Sequence, residues 1–132
     1  MDRKLGESSA GEASEPPLGS AIDGDVLEKF RRAMGDIGDD LVGTFITTAR
    51  QQSETLVQAS KRADISVVEL AAHSLKSSSG TVGALRLAKL CHALELEAGK
   101  GKEDVLQAGV QDIATELQRV CSELEGLGFQ GL

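Results

Sequence analysis

From Val26 onward, apolar residues recur every three or four positions in five successive runs, each closed by glycine or by a polar turn. Val26, Leu27, Phe30 and Met34 make the first run. Leu41, Val42, Phe45, Ile46, Ala49, Leu56 and Ala59 make the second, and Ile65, Val68, Ala72 and Leu75 the third. Leu87, Ala88, Cys91, Leu94 and Ala98 form the fourth, and Leu106, Val110, Ile113, Leu117, Val120 and Leu124 the fifth. This spacing puts one face of an α-helix into a core, whereas a half-buried strand alternates with period two. Aromatic residues are only 2% of the chain, so the side chains that pleated sheets favour are scarce. The pattern predicts an all-α protein.

Local signals set the expected boundaries. Asp23 caps a short helix running to about Met34, and Gly35 and Gly38 then break the chain. Asp39 or Asp40 is expected to cap a longer helix to about Arg62. Asp64 opens a third, ending near Ser79 and Gly80, with Gly83 allowing the turn. The fourth spans Ala84 to about Ala98, and the fifth begins at Glu103 or Asp104 and ends at Gly126. Long helices joined by short connections favour antiparallel neighbours. The expectation is an up-down-up-down four-helix bundle with a short additional N-terminal helix, and no internal repeat is visible. Residues 1–19, rich in Gly, Ser, Glu and Pro, read as a disordered tail or linker ahead of a domain at 20–132.

A net charge of −7 argues against nucleic acid as the main partner. The charge is uneven: between Lys61 and Lys102 there are seven basic residues against four acidic ones, a local excess able to steer an acidic partner. Cys91 and Cys121 lie at apolar helical positions without metal-ligand spacing, so buried, reduced thiols are expected and a metal site is not. No run of eighteen apolar residues occurs, and the N-terminus lacks the apolar core of a signal peptide. A soluble cytoplasmic protein, or a cytoplasmic piece of a larger one without direct membrane insertion, is the expectation. The stripes can be buried within one chain, which predicts a monomer.

The chemically distinctive stretch is AAHSLKSSSGTVG, residues 71–83, in a chain with only two histidines. At about 100° per residue His73 falls outside the arc of Ile65, Val68, Ala72, Leu75 and Ser79, while Lys76 falls roughly 60° from it. The helix would display an imidazole and an ammonium side by side, with Ser77 and Gly80 as small neighbours that let another surface approach. A neutral imidazole nitrogen is a good nucleophile, and a cation beside it can offset phosphoryl charge. On geometry alone, an ordinary solvated histidine face stays open as the alternative. His92 reads as a polar rim residue. GxxxxGK[ST] is absent, so no ATP site is expected.

HSLKSSSGTVGALRLAKLCHALELEAGKG, residues 73–101, resembles the signature of histidine-containing phosphotransfer (HPt) domains of bacterial two-component phosphorelays, approximately HxLKGSSxxxGAxxLxxxCxxLExxAxxG. The match holds at His73, Leu75, Lys76, Ser78, Ser79, Gly83, Ala84, Leu87, Cys91, Leu94, Glu95, Ala98 and Gly101. The upstream helices extend it over about residues 21–125, and the family's fold is the same bundle. The resemblance implies that His73 is phosphorylated, that Lys76 is the cation near its phosphoryl group, and that Glu95 on the facing helix hydrogen-bonds the imidazole. Ser77 stands where the family usually has glycine, at the place where a partner docks. Partners implied are receiver domains of a hybrid sensor kinase or response regulator, whose aspartates give and take the phosphoryl group. The chain would have no cofactor of its own and no kinase activity of its own, Mg²⁺ being the receiver's. A membrane-bound hybrid kinase could carry such a domain at its cytoplasmic C-terminus. A helical adaptor that binds receivers without phosphotransfer is the competing reading.

Overall fold

The computed structural model describes residues 19–131, and the expected tail lies almost wholly outside them. Five α-helices follow in order: α1 Gly24–Met34, α2 Gly38–Lys61, α3 Ile65–Val82, α4 Leu85–Ala98 and α5 Glu103–Gly126. No strand occurs among the described residues. Helices α2 to α5 pack in a ring, α2 against α3 and α5, and α4 against α3 and α5. Short connections at 62–64, 83–84 and 99–102 make each neighbour antiparallel, which is the up-down-up-down bundle; α1 lies across α2 and α3.

The core follows the periodic positions. Val42, Ile46, Leu56, Val68, Leu75, Leu87, Cys91, Ile113, Val120 and Leu124 are all buried. Removing such a side chain from water is worth about 1.5–3 kcal/mol, so packing outweighs the weak helix propensity of the valines and isoleucines among them. Both cysteines are free and buried. No described helix is long and apolar enough to cross a membrane.

Two boundaries differ from expectation. Helix α2 begins at Gly38, with neither Asp39 nor Asp40 as its cap, because a 3-10 turn at Gly35–Ile37 leads in with Ile37 already helical (φ −93°, ψ −1°). Asp39 instead pairs with the Arg31 guanidinium at 2.8 Å, tying α1 to α2. Gly38 lets α1 come close there, since a Cβ would make a tight 3.1 Å contact with the Arg31 carbonyl oxygen. Helix α3 runs past Ser79 and Gly80 to Val82, because the buried Val82 extends its core face. Gly83 ends it in the left-handed conformation, φ 93°, and its carbonyl accepts from the Asp23 N–H at 2.8 Å. That contact sets the start of α1, where the Asp23 carboxylate accepts from the N–H groups of Asp25 and Val26.

Candidate functional site

The α3–α4 pair carries the candidate site. Antiparallel packing across a two-residue turn sets the middle of α3 opposite the C-terminal half of α4, so side chains three apart on one helix face side chains three apart on the other. His73 and Lys76 therefore meet Glu95 and His92. The Glu95 carboxylate receives both partners: Oε2 lies 2.9 Å from His73 Nδ1, and Oε1 accepts from Lys76 Nζ at 2.8 Å. Lys76 Nζ also lies 3.5 Å from His92 Nδ1, at the limit of a hydrogen bond.

Exposure grades across this cluster. The His73 side chain is 61% exposed, whereas Lys76 and Glu95 are 29% and 26% exposed in the cleft between the helices. The ammonium hydrogen bond from Lys76 is the largest influence holding the Glu95 carboxyl below its usual range. The His73 hydrogen bond adds to it, and partial burial opposes both. An ionised carboxylate can only accept, so the 2.9 Å contact assigns the proton to Nδ1 of a neutral His73. The lone pair is then on Nε2, which has no hydrogen-bond partner among the described residues. Cys91, one turn before Glu95, is no competing nucleophile, since burial pushes its thiol up to about 12.

Ser77 is exposed one turn beyond His73, and Gly80 follows, half-buried, with open space where a Cβ would project. Ser74 accepts from Gln52 Nε2 at 2.7 Å, fastening α2 beside the histidine. His92 was expected to be a plain rim residue. It is exposed, yet the structure sets it against Lys76, a contact missed because that lysine comes from the facing helix. The signal was present: His92 and Glu95 repeat the i,i+3 spacing of His73 and Lys76. Among the described residues no group of three or more His, Cys, Asp or Glu side chains could hold a metal ion.

Residues 40–126 match the protein family described as "Hpt domain". The chain belongs to the Hpt domain family. Its structure is similar to the crystal structure of histidine-containing phosphotransfer protein B (HptB) from Pseudomonas aeruginosa PAO1. The TM-score is 0.76 at 26% identity, covering 80% of this chain and 92% of that one. No curated protein matches the sequence. Family and fold together identify a histidine phosphotransfer protein of a phosphorelay, a class of Hpt domain that interacts with receiver domains.

Proposed function

We propose that this Hpt domain carries a phosphoryl group on Nε2 of His73 between the aspartates of two receiver domains. The observation that supports the reading best is the 2.9 Å contact between His73 Nδ1 and Glu95, which leaves Nε2 as a lone-pair nitrogen on an exposed ring. The Nε2 lone pair attacks the phosphorus of the receiver's acyl phosphate in line. The N–P bond forms, the P–O bond to the aspartate breaks, and the carboxylate leaves with its electron pair. The proton on Nδ1 stays shared with Glu95, which stabilises the positive charge that develops on the ring. Attack by a second receiver's aspartate reverses these steps and regenerates the neutral imidazole.

Lys76 contributes a fixed positive charge beside the ring and orients Glu95, and positioning with charge stabilisation supplies the catalysis. Mg²⁺ belongs to the partner receiver in this reading. Ser77 and Gly80 form the small-residue surface past which the receiver approaches. We assign the phosphotransfer domain to 20–132 and a linker to 1–19, acting as a monomer in the cytoplasm.

A phosphorylated receiver should label the protein at His73, with the label lost in acid and retained in alkali, as a phosphoramidate requires. ATP alone should transfer nothing. Undiminished labelling of His73→Gln would overturn the assignment.

A further inference from the structure

An ammonium carries three N–H donors and no acceptor, so the contacts around Lys76 Nζ fix what each neighbour must do. One donor goes to Glu95 Oε1 at 2.8 Å, and His92 Nδ1, one turn earlier on α4, lies 3.5 Å away. Lys76 can only donate to it, so Nδ1 of His92 carries the lone pair and Nε2 the proton. His73 is the reverse, with its proton on Nδ1 toward Glu95. A single polar chain results, from His73 through Glu95 and Lys76 to His92, in which the two imidazoles hold opposite tautomers. No further partner is set against Lys76 among the described residues, and its side chain is 29% exposed, so one N–H remains for an incoming phosphoryl oxygen.

The charges around His92 come from α3 and from its own helix. On the α4 wheel Arg86, which pairs with Glu116 of α5, and Leu94, which packs on Gly109, mark the α5 side, about 120° and 160° from His92. From α3 the charge set against it is Lys76, since the turn that follows, residues 77–80, is three serines and a glycine. Its own helix places Lys89 one turn before it and Glu95 one turn after. The ring is exposed, so removing it costs little packing.

We propose that His92 is a positioning residue for the phosphotransfer: by accepting from Lys76 it braces the ammonium between itself and Glu95, leaving one N–H for the phosphoryl group on His73. The inference rests on the phosphotransfer reading above and deepens it, adding a residue that acts on the reaction only through Lys76. A lysine held by one partner keeps much of its rotamer freedom; held by two, it loses that freedom before the phosphoryl group arrives. The brace depends on pH. A protonated His92 has no lone pair for Lys76 and puts a second cation 3.5 Å from it. The brace is therefore present while His92 is neutral and is lost as pH falls through its titration.

The test measures His73 labelling by phosphoramidate, a donor that brings no receiver carboxylates to titrate. The parent, His92→Ala, His92→Gln, Lys76→Ala and the double variant Lys76→Ala/His92→Ala are compared at about pH 8 and about pH 5.5, which bracket ordinary imidazole titration. At the higher pH His92→Ala should be about threefold slower, the effect of one modest hydrogen bond, with the melting temperature unchanged. His92→Gln, whose amide oxygen accepts from Lys76 without titrating, should recover most of that loss. The double variant should be no slower than Lys76→Ala alone, because a residue that acts through Lys76 then has nothing to position. At the lower pH the ratio of the His92→Gln rate to the parental rate should rise, since protonation of His73 and of the donor is common to both. A parental rate in His92→Ala, a double variant slowed by the product of the single effects, or a ratio that does not change with pH would overturn the role of His92 and leave the phosphotransfer reading intact. Undiminished labelling of His73→Gln would overturn that reading and this inference together.

Discussion

Glu95 is the residue on which the proposed site turns, because one carboxylate meets both His73 and Lys76. Glu95→Gln keeps the shape but lets the amide donate to Nδ1, which would move the ring proton to Nε2 and remove the nucleophilic lone pair. Receiver transfer should fall at least about tenfold, and ¹⁵N spectra of the His73 ring should show the tautomers redistributed. An unchanged tautomer together with an unchanged rate would leave Glu95 without a part in the reaction. Lys76→Ala tests the other arm. Transfer should slow while stability changes by only about 0.5 kcal/mol, since the pair is partly solvated. The same variant should move a titration. The Lys76 ammonium is the main cause holding the Glu95 carboxyl low, so its loss lets Glu95 titrate at higher pH, visible in the side-chain ¹³C shift. The sign for folding follows: a depressed carboxyl stabilises the parent above the ordinary carboxylate range, and that contribution is lost as pH falls through the lowered value. Equal midpoints in parent and variant would mean that the Lys76–Glu95 contact is not held in solution.

At the scale of elements, the last turn and cap of α3 hold two glycines with opposite characters. A Cβ at Gly80 meets nothing, so the fold does not require glycine there; a Cβ at Gly83 would lie 2.7 Å from the Asp23 carbonyl oxygen, at a φ of 93°. Gly80→Ala should raise stability by about 0.5–1 kcal/mol, and slower transfer in that better-folded variant would locate receiver approach at this turn. Gly83→Ala should cost about 1–3 kcal/mol by strain and by displacing the start of α1, read from denaturant midpoints. Stability equal to the parent would show that the α1 contact yields easily. These glycines also mark where the sequence was legible. Its spacing revealed all five helices, because burial on one face is a local periodic signal. The end of α3 was not readable, since Gly80 looks like a stop until the buried Val82 is known to continue the core face. The start of α2 was equally hidden: whether Asp39 caps its own helix or pairs with Arg31 depends on where α1 lies.

The whole molecule separates what holds it together from the candidate site. His73, Lys76, His92 and Glu95 all project from α3 and α4, while α2 and α5 close the ring and supply core without adding a member to that cluster. The motif on α3 could be read directly. Its meeting with Glu95 could be expected only through the family resemblance, and its meeting with His92 required the register of two antiparallel helices. Such division of labour predicts that stability and transfer respond independently to core changes on α5. Ile113 is fully buried on that helix and distant in sequence from the reacting groups. Ile113→Ala should cost about 2–5 kcal/mol through lost burial and the cavity left behind, a large share of the roughly 5–15 kcal/mol that holds a domain of this kind. The melting temperature should fall by about 10 °C or more. Well below that temperature, the folded molecules should accept phosphoryl at the parental rate, because the helix pair that sets the His73–Glu95 distance keeps its own packing. A transfer rate that falls in step with stability, in samples shown by circular dichroism to remain folded, would mean instead that α5 packing governs the geometry of the reacting pair.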